Sequence, residues 1–408
     1  MISTLQELSV KKPRVAVKPA TRIHSIDILR GAVMLIMALD HARHIFHTPA
    51  MIDEPTNLAT TTPALFFTRW ITHFCAPVFL FLSGISAYIS GQTRSKSELS
   101  AFLIKRGLWL LVVEIAIVTL AITFNPSYDF FILQVIWAIG CSMIILGLLV
   151  RTSLPVIIAA AVIIFLGHNV LDYIELPTEG VASVFWNVFF TSPGKFYPVG
   201  GGKVIAVLYT ILPWTAIMLA GFALGQLYRA DYSSAERKRI LLWSGIAVTA
   251  VFVTLRLMNN YGDPAPWSEQ KNGIYTFLSF LNVTKYPVSL QYSCMTLGPA
   301  LIILAITERT KAKFSEMIMV FGRVPFFYYV CHFYLLHLMC VVLFFASGYG
   351  WDQVVDKNSF MFFRPLQFGV GLLAVYLIWL LAIVLLYWPC KWFSNYKKTH
   401  RQWWLSYI

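Results

Sequence analysis

The chain has 408 residues, 58% of them hydrophobic and only 12% charged, with a mean hydropathy of +0.68. A soluble domain carries about twice that charged share, so the composition excludes a water-soluble globular fold and makes lipid the solvent for most of the surface. The net charge of +13 sits at the ends and in the loops of apolar segments, which orients a membrane protein and argues against nucleic acid as a partner.

Residues 1–22 are polar and basic (Lys11, Lys12, Arg14, Lys18 and Arg22) and read as a cytoplasmic segment ahead of an uncleaved signal anchor. A span needs about 20 mostly apolar residues. In chain order the candidates are 26–46, 70–91, 106–124, 130–150, 154–171, 204–228, 240–258, 288–306, 322–346 and 365–388. Segments this long must satisfy their own backbone hydrogen bonds, so each is predicted to be helical. The expected fold is an all-α polytopic membrane bundle of about ten transmembrane helices, with a membrane domain over 23–390 and a basic tail over 391–408. Lys and Arg cluster in alternate loops, around 94–106, 229–239, 309–323 and 391–401, while the intervening loops hold more acids than bases. That pattern puts both ends in the cytoplasm. Two outer loops, 172–203 and 259–287, are long and rich in Gly, Pro and aromatics, which suits binding loops and passive connectors equally. The six cysteines lie in or beside apolar segments without metal-type spacing, so they read as small buried hydrophobes.

The first span, SIDILRGAVMLIMALDHARH, carries Asp27, Arg30, Asp40 and His41. Ionisable groups in a membrane helix face protein or a wet cavity and are functional by default. At 100° per residue, Asp27, Arg30, Met34, Met37 and His41 fall on one stripe, and Arg30 to His41 covers about 16 Å of helix axis. The stripe therefore joins the inner face to the outer third of the bilayer. Asp40 adjoins His41 in sequence but faces elsewhere, toward Arg43 or His44. On the second span His73 lies at a similar depth, Pro77 is expected to kink the helix, and Ser83–Gly84 allows close packing. On the ninth, FFYYVCHFYLLHL sets His332 and His337 about 140° apart, so the two cannot share one narrow site. The run HARHIFH offers His41, His44 and His47 with Asp40, but a single regular helix cannot close these around one ion, and no metal is expected.

RIHSIDILRGAVMLIMALDHARHIF at 22–46 and RWITHFCAPVFLFLSGISAY at 69–88 resemble the catalytic domain of heparan-alpha-glucosaminide N-acetyltransferases and their bacterial relatives. LQVIWAIGCSM at 133–143, LPWTAIMLAGFALGQLY at 212–228, KYPVSL and TLGPAL within 285–301, and GRVPFFYYVCHFYLLH at 322–337 extend the similarity along the chain. The resemblance implies a membrane acyltransferase that takes acetyl-CoA as co-substrate on the cytoplasmic side and delivers the acyl group to a sugar or glycan on the outer face of a bacterial-type inner membrane. The wider superfamily separates an Arg or Lys from the catalytic His by ten residues, as Arg30 and His41 are separated here. The expected catalytic residues are His41, Asp40 and His73, with His44 and His47 as further candidates for the reactive histidine. Arg22, Arg30, Asp27 and Arg106 are expected at the CoA, and Arg43, His44 and His332 at the acceptor. The neutral imidazole would remove a proton from the acceptor or take the acyl group itself. The alternatives are a secondary transporter with an intramembrane Asp/Arg/His relay and a membrane protein that keeps the fold without the chemistry.

Overall fold

The computed structural model describes residues 23–310, 313–400 and 402–407. Helix α1 (His24–Phe46) leads through a short 3-10 turn to α2 (Pro63–Thr72) and α3 (Cys75–Gly91). Helix α4 (Lys96–Val113) continues through a π-helical turn at Glu114–Val118 into α5 (Thr119–Thr123). Strand β1 (Phe130–Leu133) precedes α6 (Val135–Leu149) and α7 (Leu154–Gly167). A short α8 (Gly180–Trp186) and the hairpin of β2 (Lys195–Gly200) and β3 (Lys203–Val207) come next. Then follow α9 (Ile211–Leu224), α10 (Ser234–Met258), α11 (Gly273–Leu281), α12 (Leu290–Thr307), α13 (Lys313–Arg323), α14 (Pro325–Ala346) and α15 (Leu372–Thr399).

Seven of the described helical runs are long and apolar enough to cross a membrane: 63–91, 154–173, 211–228, 234–258, 290–307, 325–346 and 372–399. The other three expected segments are helical as well, but α1 and α4 carry several charges and α6 has only 15 residues. Burial sorts the runs. In their most apolar windows α9 and α12 bury 72% of residues, whereas α7 and α15 bury 17% and turn apolar side chains outward. Helix α1 lies at the centre, packed against α2, α3, α12, α13, α14 and α15. Its charges are therefore surrounded by protein, which is what makes so polar a helix tolerable inside the bundle.

Several boundaries differ from the sequence reading, each for a local reason. The expected span at 204–228 begins as strand β3, and its helix starts only at Ile211, because Pro213 lacks an N–H and is tolerated in a helix only in the first turn. The span at 130–150 likewise opens as β1. The span at 322–346 is broken at Val324, ahead of Pro325 at the first position of α14. Residues 365–371 are irregular, and Gly369 has a φ of 145°. The boundary drawn at 390 falls inside α15, which continues to Thr399.

The fold is also not purely helical. Strands β1, β3 and β2 form a three-stranded sheet, with β1 parallel and β2 antiparallel to β3. The hairpin turn uses Gly200, Gly201 and Gly202, all at positive φ, a conformation that only glycine adopts readily.

The second span is interrupted at His73–Phe74, between α2 and α3. Pro77 cannot donate to the carbonyl four residues earlier, so the His73 oxygen is released, and the Tyr292 hydroxyl donates to it at 2.7 Å. The close packing expected at Ser83–Gly84 is made against α9, where a Cβ on Gly84 would overlap the Met218 carbonyl.

Candidate active site

Two cavities lie along α1, toward opposite ends of its polar stripe. The one at the Arg30 end encloses about 370 Å³. Arg30 from α1, Arg106 from α4, Arg323 from α13 and Lys397 from α15 bring cationic groups to it. Ser83, Ser86 and Ser90, at helical spacing on α3, give it a hydroxyl wall, and Leu110, Val135, Ile136, Ile139 and Met143 give it an apolar one. Helix α13 can approach α1 this closely because Gly31 and Gly322 face the other helix. A Cβ on either would overlap opposing backbone, at Ile318 and Asp27 respectively. The approach sets Arg323 Nε 3.9 Å from Asp27 and lets Arg30 donate to the Gly322 carbonyl at 3.4 Å. Arg30 also donates to the Ser86 hydroxyl at 2.9 Å and pairs with Asp27 at 3.6 Å. Asp27 is buried and does not line the cavity, so its part is to hold two arginines at the rim.

The cavity at the His41 end encloses about 320 Å³. Asp40, His41, Arg43 and His44 of α1 line it together with Arg69 of α2, Lys285, Tyr286 and Phe333. One face of the small sheet contributes Phe130, Ile132, Phe196 and Ala206; Phe196 comes from the outer loop 172–203, expected as a binding loop or a passive connector, and the other three from segments expected as spans. Asp40 does not orient His41. Its carboxylate accepts from Arg43 at 3.2 Å and from Arg69, and so joins α1 to α2. The Lys285 ammonium lies over the rings of Tyr209 and Tyr286, 5.7 and 5.0 Å from their centroids. Burial alone would raise the Tyr286 phenol, but Lys285 and Arg69 beside it outweigh burial and draw it below its usual range. The segment that presents Lys285 and Tyr286 is held from behind. Arg256 is 1% exposed and donates to the carbonyls of Ala265, Ser279, Phe280 and Asn282. Asp263 accepts from the Thr284 backbone and the Ser289 hydroxyl.

Met34 and Tyr329 line the first cavity, and His41 and Phe333 line the second. Tyr329 and Phe333 are four residues apart on α14, about 6 Å of axis, so one turn of α14 forms part of the partition between the cavities. Across it runs the central hydrogen bond of the site. His41 Nδ1 lies 2.6 Å from His332 Nε2, and His332 Nδ1 lies 3.1 Å from the Tyr328 carbonyl. A carbonyl only accepts, so His332 Nδ1 carries the proton and, in the neutral ring, its Nε2 is the acceptor. His41 Nδ1 is then the donor, and His41 Nε2 keeps its lone pair. Phe333 stacks on the His41 ring at 4.2 Å and fixes its plane. An imidazole locked in this tautomer is equipped to act as a base or nucleophile near neutral pH.

The other expected residues are placed as follows. His332, expected at the acceptor, is wholly buried and partners His41 instead. His73 is buried beside Tyr292, with ring centroids 5.2 Å apart, and lines neither cavity. His44 faces Phe360, and His337 donates from Nε2 to the Phe362 carbonyl at 2.9 Å while stacking on Phe124. Arg22 lies outside the described residues. Among the described residues no group of three His, Cys, Asp or Glu side chains could hold a metal ion. Sequence reasoning missed Arg323, Lys397, Arg69, Lys285 and Tyr329 as site residues. The first two were visible only as loop cations that orient the chain, and nothing local ties them to α1.

The profile described as heparan-alpha-glucosaminide N-acetyltransferase, catalytic, matches residues 22–255. No curated protein matches the chain. The matched region contains α1 and both the hydroxyl wall from α3 and the apolar wall from α4 and α6 of the first cavity, and it ends before His332, Arg323 and Lys397.

Proposed function

Because the chain belongs to the heparan-alpha-glucosaminide N-acetyltransferase catalytic family, an integral membrane acyltransferase family, we propose that it moves an acyl group, acetyl in the first instance, from cytoplasmic acyl-CoA to a sugar or glycan on the outer face. In this reading about ten helices cross the membrane with both ends in the cytoplasm, and the cavity at the Arg30 end opens inward. The observation that carries the reading is the His41–His332 pair, set between a cavity rimmed with cations and a cavity walled with aromatics.

The first cavity matches a CoA thioester part by part. Arg30, Arg106, Arg323 and Lys397 suit its phosphates through charge-assisted hydrogen bonds. The serine wall suits the amides of the pantetheine arm, and the apolar depth suits its methylenes and the acyl group. The second cavity suits a sugar ring, which stacks its C–H face on aromatic side chains. His41 Nε2 takes the acceptor's proton as its oxygen or nitrogen attacks the thioester, or takes the acyl group first and passes it on. Aspartate chemistry has no place in either route, since Asp40 is held by two arginines.

The test is acyl-CoA turnover by purified protein against a panel of amino sugars and cell-envelope glycans. Acceptor-dependent release of CoA thiol is expected, and it should vanish in His41→Ala. Labile acyl-protein formed without acceptor selects the two-step route. Solute flux in proteoliposomes with no thiol release would favour the transporter alternative, which has no support in the family match.

A further inference from the structure

Tyr329 is 3% exposed, and its hydroxyl has no hydrogen-bond partner among the described residues. A buried, unpaired hydroxyl is unfavourable for folding, and its retention calls for a reason beyond packing. Its position supplies one. The residue lines the cation-rimmed cavity, and its ring meets the His41 ring edge-on, with centroids 6.5 Å apart and planes at 83°. It also meets His332 edge-on at 5.6 Å. Tyr329 thus stands in the partition, between the space suited to the thioester and the imidazole suited to the transfer.

We propose that Tyr329 is a further catalytic residue, whose hydroxyl donates to the carbonyl oxygen of the thioester as the acyl group is transferred. The inference rests on the acyl-transfer reading above. The acceptor's O–H or N–H gives its proton to His41 Nε2 while its heteroatom bonds to the carbonyl carbon. The carbonyl π pair moves onto oxygen, where the Tyr329 hydroxyl meets the growing negative charge. Collapse breaks the C–S bond, and the departing thiolate takes the proton from His41 to leave as CoA thiol. A donor with no partner among the described residues breaks no bond to them in doing this, so its hydrogen bond is made where charge develops.

The experiment compares wild type with Tyr329→Phe in acceptor-dependent release of CoA thiol, together with the affinity for desulfo-CoA, which lacks the thioester carbonyl, and the thermal midpoint. The expected result is a loss of kcat on the order of 100-fold, with KM for acetyl-CoA and the desulfo-CoA affinity little changed. The midpoint should hold or rise, because the substitution removes an unpaired polar atom. A folded variant with wild-type kcat overturns the assignment. So does a variant that fails to fold, since that shows the hydroxyl already spent on structure. Wild-type protein that releases no thiol with any acceptor would instead overturn the acyltransferase reading itself.

Discussion

Replacing His332 by Phe tests the tautomer that the site depends on. Phenylalanine keeps the ring volume in a wholly buried position, so packing against Tyr328 and Phe333 survives. What is lost is the acceptor 2.6 Å from His41 Nδ1. The His41 N–H is then stranded, and the ring is free to exchange its proton to Nε2, which abolishes the base. Leaving a buried donor unpaired costs about 1–3 kcal/mol. If that loss appears in full in the transition state, kcat falls about 5- to 140-fold, at about 1.4 kcal/mol per factor of ten. His332 does not line the cation-rimmed cavity, so KM for acyl-CoA should stay within about twofold. His332→Gln, whose side-chain carbonyl can accept from His41, should recover part of the rate. The assay is acceptor-dependent thiol release with a parallel thermal melt. A folded His332→Phe protein with wild-type kcat would refute the reasoning, because His41 would then need no partner to hold its lone pair in place.

Two further outcomes follow from the same geometry. Arg323→Gln and Lys397→Gln should each raise KM for acyl-CoA about tenfold, with kcat nearly unchanged, since each removes a charge-assisted bond to the donor and touches no reacting atom. Initial rates at varied acyl-CoA would show it, and a fall in kcat at constant KM would place these side chains elsewhere. Arg256→Met should destabilise the protein by about 3–5 kcal/mol, because it leaves Asp263 and several backbone carbonyls buried without their partner. A lowered thermal midpoint, with a raised acceptor KM in whatever protein survives, is the expected reading, and an unchanged midpoint would contradict it.

The sequence alone determined what could be read from one segment at a time. Apolar run length gave the helical membrane bundle, and helical spacing gave the stripe from Asp27 to His41, both of which need only the local chain. Helical spacing set Asp40 toward Arg43 or His44 for the same reason, and of the two the ion pair is made with Arg43. Prolines marked breaks in principle, yet the break near Pro77 falls at His73, where a released carbonyl found Tyr292 some 219 residues away in the chain. The sheet escaped the reading because β1 (ending at Leu133) pairs with β3 (starting at Lys203), far along the chain, and no single strand of four to six residues declares its partner. Tertiary structure alone decided the partner of His41. Two imidazoles on α1 and the second span lay at matching depth, but helix packing brought His332 of α14 within hydrogen-bond distance instead, at a separation of 291 residues. It decided too that Arg323 and Lys397 share a rim with Arg30, and that Tyr329, with no hydroxyl partner among the described residues, packs against His41. Depth and face follow from the periodicity of one helix, whereas which neighbour fills the space opposite depends on the packing of all of them.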